Sequence, residues 1–242
     1  MVDKRKKEKA EYVIDIIHRT VMHHFLWFSE VRHQMGDDIA YETLHRVFEK
    51  SLEIQMKKIG KVLDFEIKEG IPLPLLSLEE KKMENLIEAL SLNWIANDGI
   101  WFQDVEFEHG MNDAKRCNDS CWSNFSPFEA RSIKKLLDIP EHSGLIGLEK
   151  ALGSRLYSNV NIQSVVWENE NSLIFQMNKC WVQEKRKARG LDDYPCKSAG
   201  LVEYAYFARE IDKRIKTQCI GCPPDDHPDD WYCAWRFYID EQ

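Results

Sequence analysis

The sequence contains no apolar run approaching the roughly 18 residues that cross a bilayer as a helix, so no membrane span is expected. It has no surplus of positive charge either, with 41 Asp and Glu against 33 Lys and Arg. Its one dense basic run, Lys4 to Lys7, is interrupted at once by Glu8 and Glu11. That is the composition of a solvated helix start, and a nucleic-acid partner is not expected. The first residues run into a charged helical pattern without an apolar core or a small-residue cleavage site, which points to a cytoplasmic chain. Gly-rich phosphate loops, nucleophile elbows and zinc-protease helices are all missing, so nucleotide hydrolysis, serine-esterase and zincin chemistry lack support. The stretch Gly144 to Leu148 has neither the strand nor the third glycine of a dinucleotide fingerprint and reads as a helix entry. What the chain does have is seven cysteines, an odd number. Its 242 residues can bury a core without disulfides. In a reducing compartment such cysteines suggest metal or thiol chemistry.

Residues 8 to 138 carry helical periodicity and an internal repeat at an offset of 74 residues. Trp27-Phe28 aligns with Trp101-Phe102, Gly36 with Gly110, Ala40 with Ala114, and Leu63-Asp64 with Leu137-Asp138. Upstream, Val13, Ile16 and Val21 keep step with Ile87, Leu90 and Ile95 on one helical face. Each copy, about 10–65 and 84–139, reads as a long helix, a glycine turn in left-handed conformation and a return helix. Pro72 and Pro74 are expected to keep the connector free of helix, with Ser77 capping the next one. In the second copy Ser126 and Pro127 are expected to break the return helix and restart it. Stacked together, the copies would form a helical bundle over 1–143.

From about Gly144 the period changes. A short helix is followed by two β-rich runs around Glu168 to Asn171, two helices (Trp181 to Arg189 and Cys196 to Ile211), and two more strands (Arg214 to Cys222 and Trp231 to Ile239). The order αββααββ over 144–242 predicts an antiparallel four-stranded sheet with helices packed on it, and an α+β protein overall.

Four cysteines fall at suggestive places in this last third. Cys219-Ile-Gly-Cys222 has the spacing by which a tight turn aims two thiolates at one ion. Pairing of the flanking strands would return Cys233 beside it, because Ile215, Thr217 and Cys219 share one strand face, as do Cys233, Trp235 and Phe237. Cys196 would approach from a helix N-terminus, where the dipole favours thiolate. Four thiolates make a closed tetrahedral zinc site of structural character. Buried free thiols are the alternative, and Cys180 or His227 could replace one of the four.

The run Cys196-Lys-Ser-Ala-Gly200, then Gln218-Cys219-x-x-Cys222, then Cys233-Ala-Trp-Arg-Phe237 resembles the C-terminal half of 4-vinyl reductase domains. Matched residue by residue, Cys196, Cys222 and Cys233 fall on that family's three cysteines, and Cys219 stands where it usually has Glu. The resemblance covers roughly 145–240 and implies a small-molecule pocket between sheet and helices, with zinc at its base. The whole chain also resembles an uncharacterised family of bacterial and archaeal cytosolic proteins and, more distantly, L-2-amino-thiazoline-4-carboxylate hydrolases.

Trp167, Phe175, Trp181, Tyr204, Tyr206 and Phe207 are the aromatic candidates to line or buttress that pocket. The function expected is binding or sensing of a small, largely apolar molecule, with a second copy of the chain as the other candidate partner. The alternative is hydrolysis of a small cyclic or amide substrate at an open zinc position or a free thiol such as Cys180. Three further patterns stand beside these. Glu30-x-x-His33 and Glu106-x-x-His109 suggest a di-iron bundle, but they stand two residues out of repeat register, about 200° around a helix. His23-His24 and Asn97-Asp98 occupy equivalent positions before the paired Trp-Phe motifs and suggest either a polar pocket at the repeat interface or surface polarity. Cys117 and Cys121, one helical turn apart, could bind a metal with His109, and more often such residues simply pack.

Overall fold

The computed structural model describes residues 3–240. The chain divides into two compact units, Met1–Glu79 and Glu80–Gln242.

In the first unit, α1 (Lys4–Met35) and α2 (Asp37–Leu63) form a helical hairpin. Gly36 turns the chain between them at φ 88 and ψ 169, a region open essentially to glycine alone. The conformation is positive in φ but extended in ψ, which corrects the expected left-handed helical cap. Phe28 and Tyr41 close the turn with ring centroids 5.4 Å apart, and Arg32 reaches Asp37 at 2.8 Å. The helix ends at Asp64, which is left-handed at φ 55. The connector holds a two-stranded ribbon, β1 (Ile67–Lys68) with β2 (Ile71–Pro72), and one turn of helix, α3 (Leu73–Leu76). That turn was not expected, but Pro74 sits at its start, where a missing N–H costs nothing. Ser77 ends this turn, its hydroxyl donating to the Leu73 carbonyl at 2.8 Å, rather than capping the helix that follows.

The second unit opens with a hairpin of the same design. Helix α4 (Glu80–His109) and α5 (Met111–Leu136) meet at Gly110, φ 91 and ψ 163, and left-handed Asp138 follows at φ 51. Helix α5 runs through Pro127 without a break, so the expected restart at Ser126 is not there. A proline inside a helix costs roughly 3 kcal/mol, but burying a large apolar side chain returns about 1.5–3 kcal/mol each. The face of α5 that includes Trp122, Ala130 and Ile133 is buried. Ser126, also buried, ties its hydroxyl to the Trp122 carbonyl at 2.7 Å.

After α6 (Gly144–Leu152) and a 3-10 turn, Leu156–Asn159, the chain enters the sheet. Strands β3 (Ile162–Asn169) and β4 (Ser172–Lys179) form a hairpin, α7 (Trp181–Ala188) and α8 (Lys197–Ile211) follow, and β5 (Lys216–Gly221) and β6 (Cys233–Tyr238) close the unit. The fold is α+β, with a fully antiparallel sheet in the order β3-β4-β6-β5. Alternation along β4 turns Leu173, Phe175 and Met177 into the core, where Trp235 and Phe237 of β6 meet them. Helix α8 lies so close to the sheet that a Cβ on Gly200 would stand 2.4 Å from the Trp235 ring.

Arg155 fastens this layer. Its guanidinium is buried 2.8 Å from Glu129 of α5 and 2.8 Å from Glu203 of α8, with the Phe207 ring 4.7 Å away. Removing one member of such a group strands a buried charge, at a cost of about 3–5 kcal/mol. Among the described residues no helix is long and apolar enough to cross a membrane.

Candidate functional site

The pairing of β5 with β6 sets Cys219 opposite Trp235, and that of β4 with β6 sets Met177 opposite Cys233, so both thiols face the core side of the sheet. Cys222 is buried just past β5, beyond a bulge between Cys219 and Gly221. Cys196 caps the N-terminus of α8, as the sequence suggested, and its sulfur accepts from the Gln183 amide at 3.1 Å. The Cys222 thiol hydrogen-bonds with both Cys196 and Cys233, and this contact with burial pushes it far above its ordinary range. Cys180 caps α7. Burial, then its neighbour Cys196, pushes its thiol up, against the pull of the first amides of α7. Of the four expected ligands, Cys196, Cys222 and Cys233 are brought together, and Cys180 joins them at the wall of one cavity. Cys219 lies outside that wall, raised by burial and lowered by Lys197. His227 stands apart beside Trp231 and Tyr232, its Nδ1 2.9 Å from the Pro228 carbonyl. Among the described residues no three His, Cys, Asp or Glu side chains already surround a common point as metal ligands do.

The cavity, of about 260 Å³, is larger than the roughly 150 Å³ that admits benzene in an apolar core. Of the six aromatic candidates only Trp181 and Tyr204 line it. Phe175 backs Tyr204 at 5.6 Å, and Phe207 is fully buried under Arg155. Tyr206 is 41% exposed, since positions two apart on a helix point some 200° apart. Trp167 on the edge strand β3 is 37% exposed, and its indole donates to Glu149 at 3.0 Å. Of the remaining rings of the wall, Phe102 belongs to the repeated Trp-Phe motif and Trp235 to the strand of Cys233, while Trp122, Tyr157 and Tyr194 come from segments the sequence did not single out. The Trp235 indole, also in the wall and wholly buried, has no hydrogen-bond acceptor.

The cavity also holds acids. Burial pushes the Glu203 carboxyl up to about 7 while Arg155 pulls it down. Burial likewise raises Asp98 to about 6 against the nearby charge of Lys115. Lys115 is held by Asp119 at 3.0 Å and donates to the Tyr194 hydroxyl at 2.9 Å. That hydroxyl in turn donates to Asn118 at 2.5 Å. Glu106 is gripped by both terminal nitrogens of Arg186, at 3.1 and 3.2 Å, which leaves it an ion-pair partner rather than the carboxylate of a di-iron motif.

The pair Asn97-Asp98 is the sequence's pointer to Asp98, and the repeat explains its position. Each hairpin forms a crevice behind its glycine turn, of about 310 Å³ in the first and 330 Å³ in the second. His23, His24, Trp27 and Phe28 line one, and Asn97, Asp98, Trp101 and Phe102, each 74 residues on, line the other. In the second unit Asp98 and Phe102 border both the crevice and the main cavity. Cys117 and Cys121 border this crevice too.

A family of unknown function, DUF6125, matches residues 74–239, more than half of the chain, and the chain belongs to it. The match starts in the connector between the hairpins and takes in every element from α4 to β6. No curated protein and no solved structure matches. The likeness to 4-vinyl reductase domains and to thiazoline-carboxylate hydrolases therefore rests on the cysteine pattern alone.

Proposed function

We propose, with that membership as the premise, that the chain is a small-molecule-binding or sensing protein of the cytoplasm. Its ligand would occupy the aromatic cavity, and a structural zinc would tie α8 to the β5–β6 end of the sheet. The observation that carries the reading is the cavity itself, lined by aromatic rings and by the thiols of Cys180, Cys196, Cys222 and Cys233. Such concave, mostly apolar sites with a few polar groups are where small ligands bind.

Zinc is supported by the chemistry of the donors. The Cys222 thiol touches those of Cys196 and Cys233, sulfur is a soft ligand of the right type, and none of the seven cysteines is in a disulfide. Cys196, Cys222 and Cys233 would supply three ligands and Cys219 the fourth. The ion would replace the hydrogen bonds of Cys222, and the side chains would turn toward a common centre. A closed set of four holds structure and leaves no position for substrate.

Metal analysis of the chain purified without added metal tests this directly, with about one zinc per chain expected. Chelation should then expose the cavity thiols and loosen the second unit, because structural zinc contributes roughly 10–16 kcal/mol of apparent binding energy. A metal content near zero with the thiols still shielded would reject the zinc and leave the cavity reading standing. The rival reading, hydrolysis of a small cyclic or amide substrate, gains from Cys180 lining the cavity. It needs a thiolate there or an open metal position. Burial keeps that thiol protonated, and no histidine lines the wall to take its proton. A zinc held by three protein ligands and water would favour the rival instead.

A further inference from the structure

Asp98 borders the cavity, and the charge that acts on it is that of Lys115 through space. Among the described residues no hydrogen-bond donor or ion-pair partner reaches its carboxylate. The other charged groups of the wall are provided for. Arg186 is matched by Glu106 at 3.1 Å and Glu203 by Arg155 at 2.8 Å. Lys185 and Arg189 are exposed at the mouth, one over the Trp181 ring and the other against Gln103. Lys115 on α5 acts on Asp98 through space but is engaged by Asp119 and Tyr194. A half-buried carboxylate without a donor from the protein is available to a cation or a strong hydrogen-bond donor entering the cavity. The rings of Phe102, Trp122 and Tyr157 line the same space. Aromatic faces beside a carboxylate form the surroundings that a desolvated ammonium group requires.

This step rests on the pocket reading above and names the chemistry of its ligand. We propose that the cavity selects small aromatic or apolar amines, the protonated amino group pairing with Asp98 beneath Phe102, Trp122 and Tyr157 and the apolar body lying against Trp181 and Tyr204. A neutral alcohol of the same shape could donate a hydrogen bond to the carboxylate but would bring no charge to pair with it. The charged group that acts on Asp98 is Lys115 from α5, and Asp98 in turn raises Cys121 from α5, Tyr157, Tyr194 and Glu203 from α8. Burial raises Asp98 and Lys115 lowers it. Amine binding therefore weakens as pH falls through the range in which Asp98 takes up its proton.

The test uses the full chain and two probes of one shape, 2-phenylethylamine and 2-phenylethanol, titrated calorimetrically at pH 7.5 and pH 5. At pH 7.5 the amine should bind at least about tenfold more tightly, as a charge-assisted hydrogen bond allows. The preference should shrink at pH 5, and Asp98→Asn should abolish it, bringing the amine's affinity down to that of the alcohol. The variant keeps the shape of the side chain, and an unaltered circular dichroism spectrum checks its fold. Equal affinity for both probes in the native chain, or a preference that survives in D98N, overturns the amine selection and leaves the pocket reading intact. No binding of either probe overturns both.

Discussion

The turns of the two hairpins agree to within a few degrees, φ 88 and ψ 169 at Gly36 against φ 91 and ψ 163 at Gly110, and crevices of equivalent residues open behind both. The helices that leave those turns fare differently. Helix α5 buries Ala114, Asn118, Trp122, Ala130 and Ile133. At the equivalent positions of α2, Ala40 is buried, but Leu44 and Met56 are only half-buried, Phe48 is 56% exposed and Ile59 is 41% exposed. Helix α1 buries none of its residues. The contrast teaches that an apolar helical face is written locally, whereas its burial depends on a partner. For α5 that partner is α8, joined to it by Arg131 with Glu210 at 2.8 Å and by the Arg155 triad. The family match follows the same division, taking in the buried hairpin and leaving the exposed one outside.

The largest effect that can sharpen the contrast comes from truncating equivalent side chains. Trp122→Ala should cost about 3–5 kcal/mol, as large aromatic deletions in a core do. Phe48→Ala, at the same point of the repeat, should stay within about 0.5 kcal/mol. Urea denaturation of both variants makes the comparison. Comparable losses would show that the α2 face is covered in solution and would break the contrast.

At the turns the two hairpins should instead behave alike. Gly36→Ala and Gly110→Ala each force a side chain into a backbone region nearly closed to it, at roughly 1–3 kcal/mol. No neighbouring atom lies within 4 Å of either added Cβ, so the cost is conformational and should be similar at both. Thermal melts that differ by more than about 1 kcal/mol between the variants would separate the turns after all.

The smallest expected effect belongs to the second unit alone. Asp98 is raised from 3.8 to about 6 by burial, so the folded state holds that proton more tightly than the unfolded chain. The stability it contributes is complete below pH 3.8 and is lost as pH rises through 6. D98N should consequently gain about 1–2 kcal/mol on the native chain at pH 7, discounted for partial exposure, and nothing at pH 3.5. A gain that did not change with pH would mean the carboxylate is not destabilised by burial.

Much of the second unit was legible. The change from helical to alternating period announced αββααββ, and the face shared by Cys233, Trp235 and Phe237 announced how β6 meets its neighbours. The aromatic wall was half legible. Tyr204 was right because its helical face is the buried one, and Tyr206 missed because composition near a pocket does not fix direction. Asp98, Tyr157 and Tyr194 could not be joined from sequence at all. Tyr194 reaches Asn118 across 76 positions, and Arg186 reaches Glu106 across 80.

The sequence by itself determined the elements governed by near neighbours. Glycines at Gly36 and Gly110 made the turns, alternation made the strands, and a 74-residue repeat made two hairpins of one design. Tertiary structure decided which hairpin face is covered, why α5 passes through Pro127, and that Asp98 borders an aromatic cavity. The physical reason is range. Backbone conformation and helix turns respond to residues within about one turn, whereas burial, and with it the ionisation of a carboxylate, depends on side chains that only packing brings together.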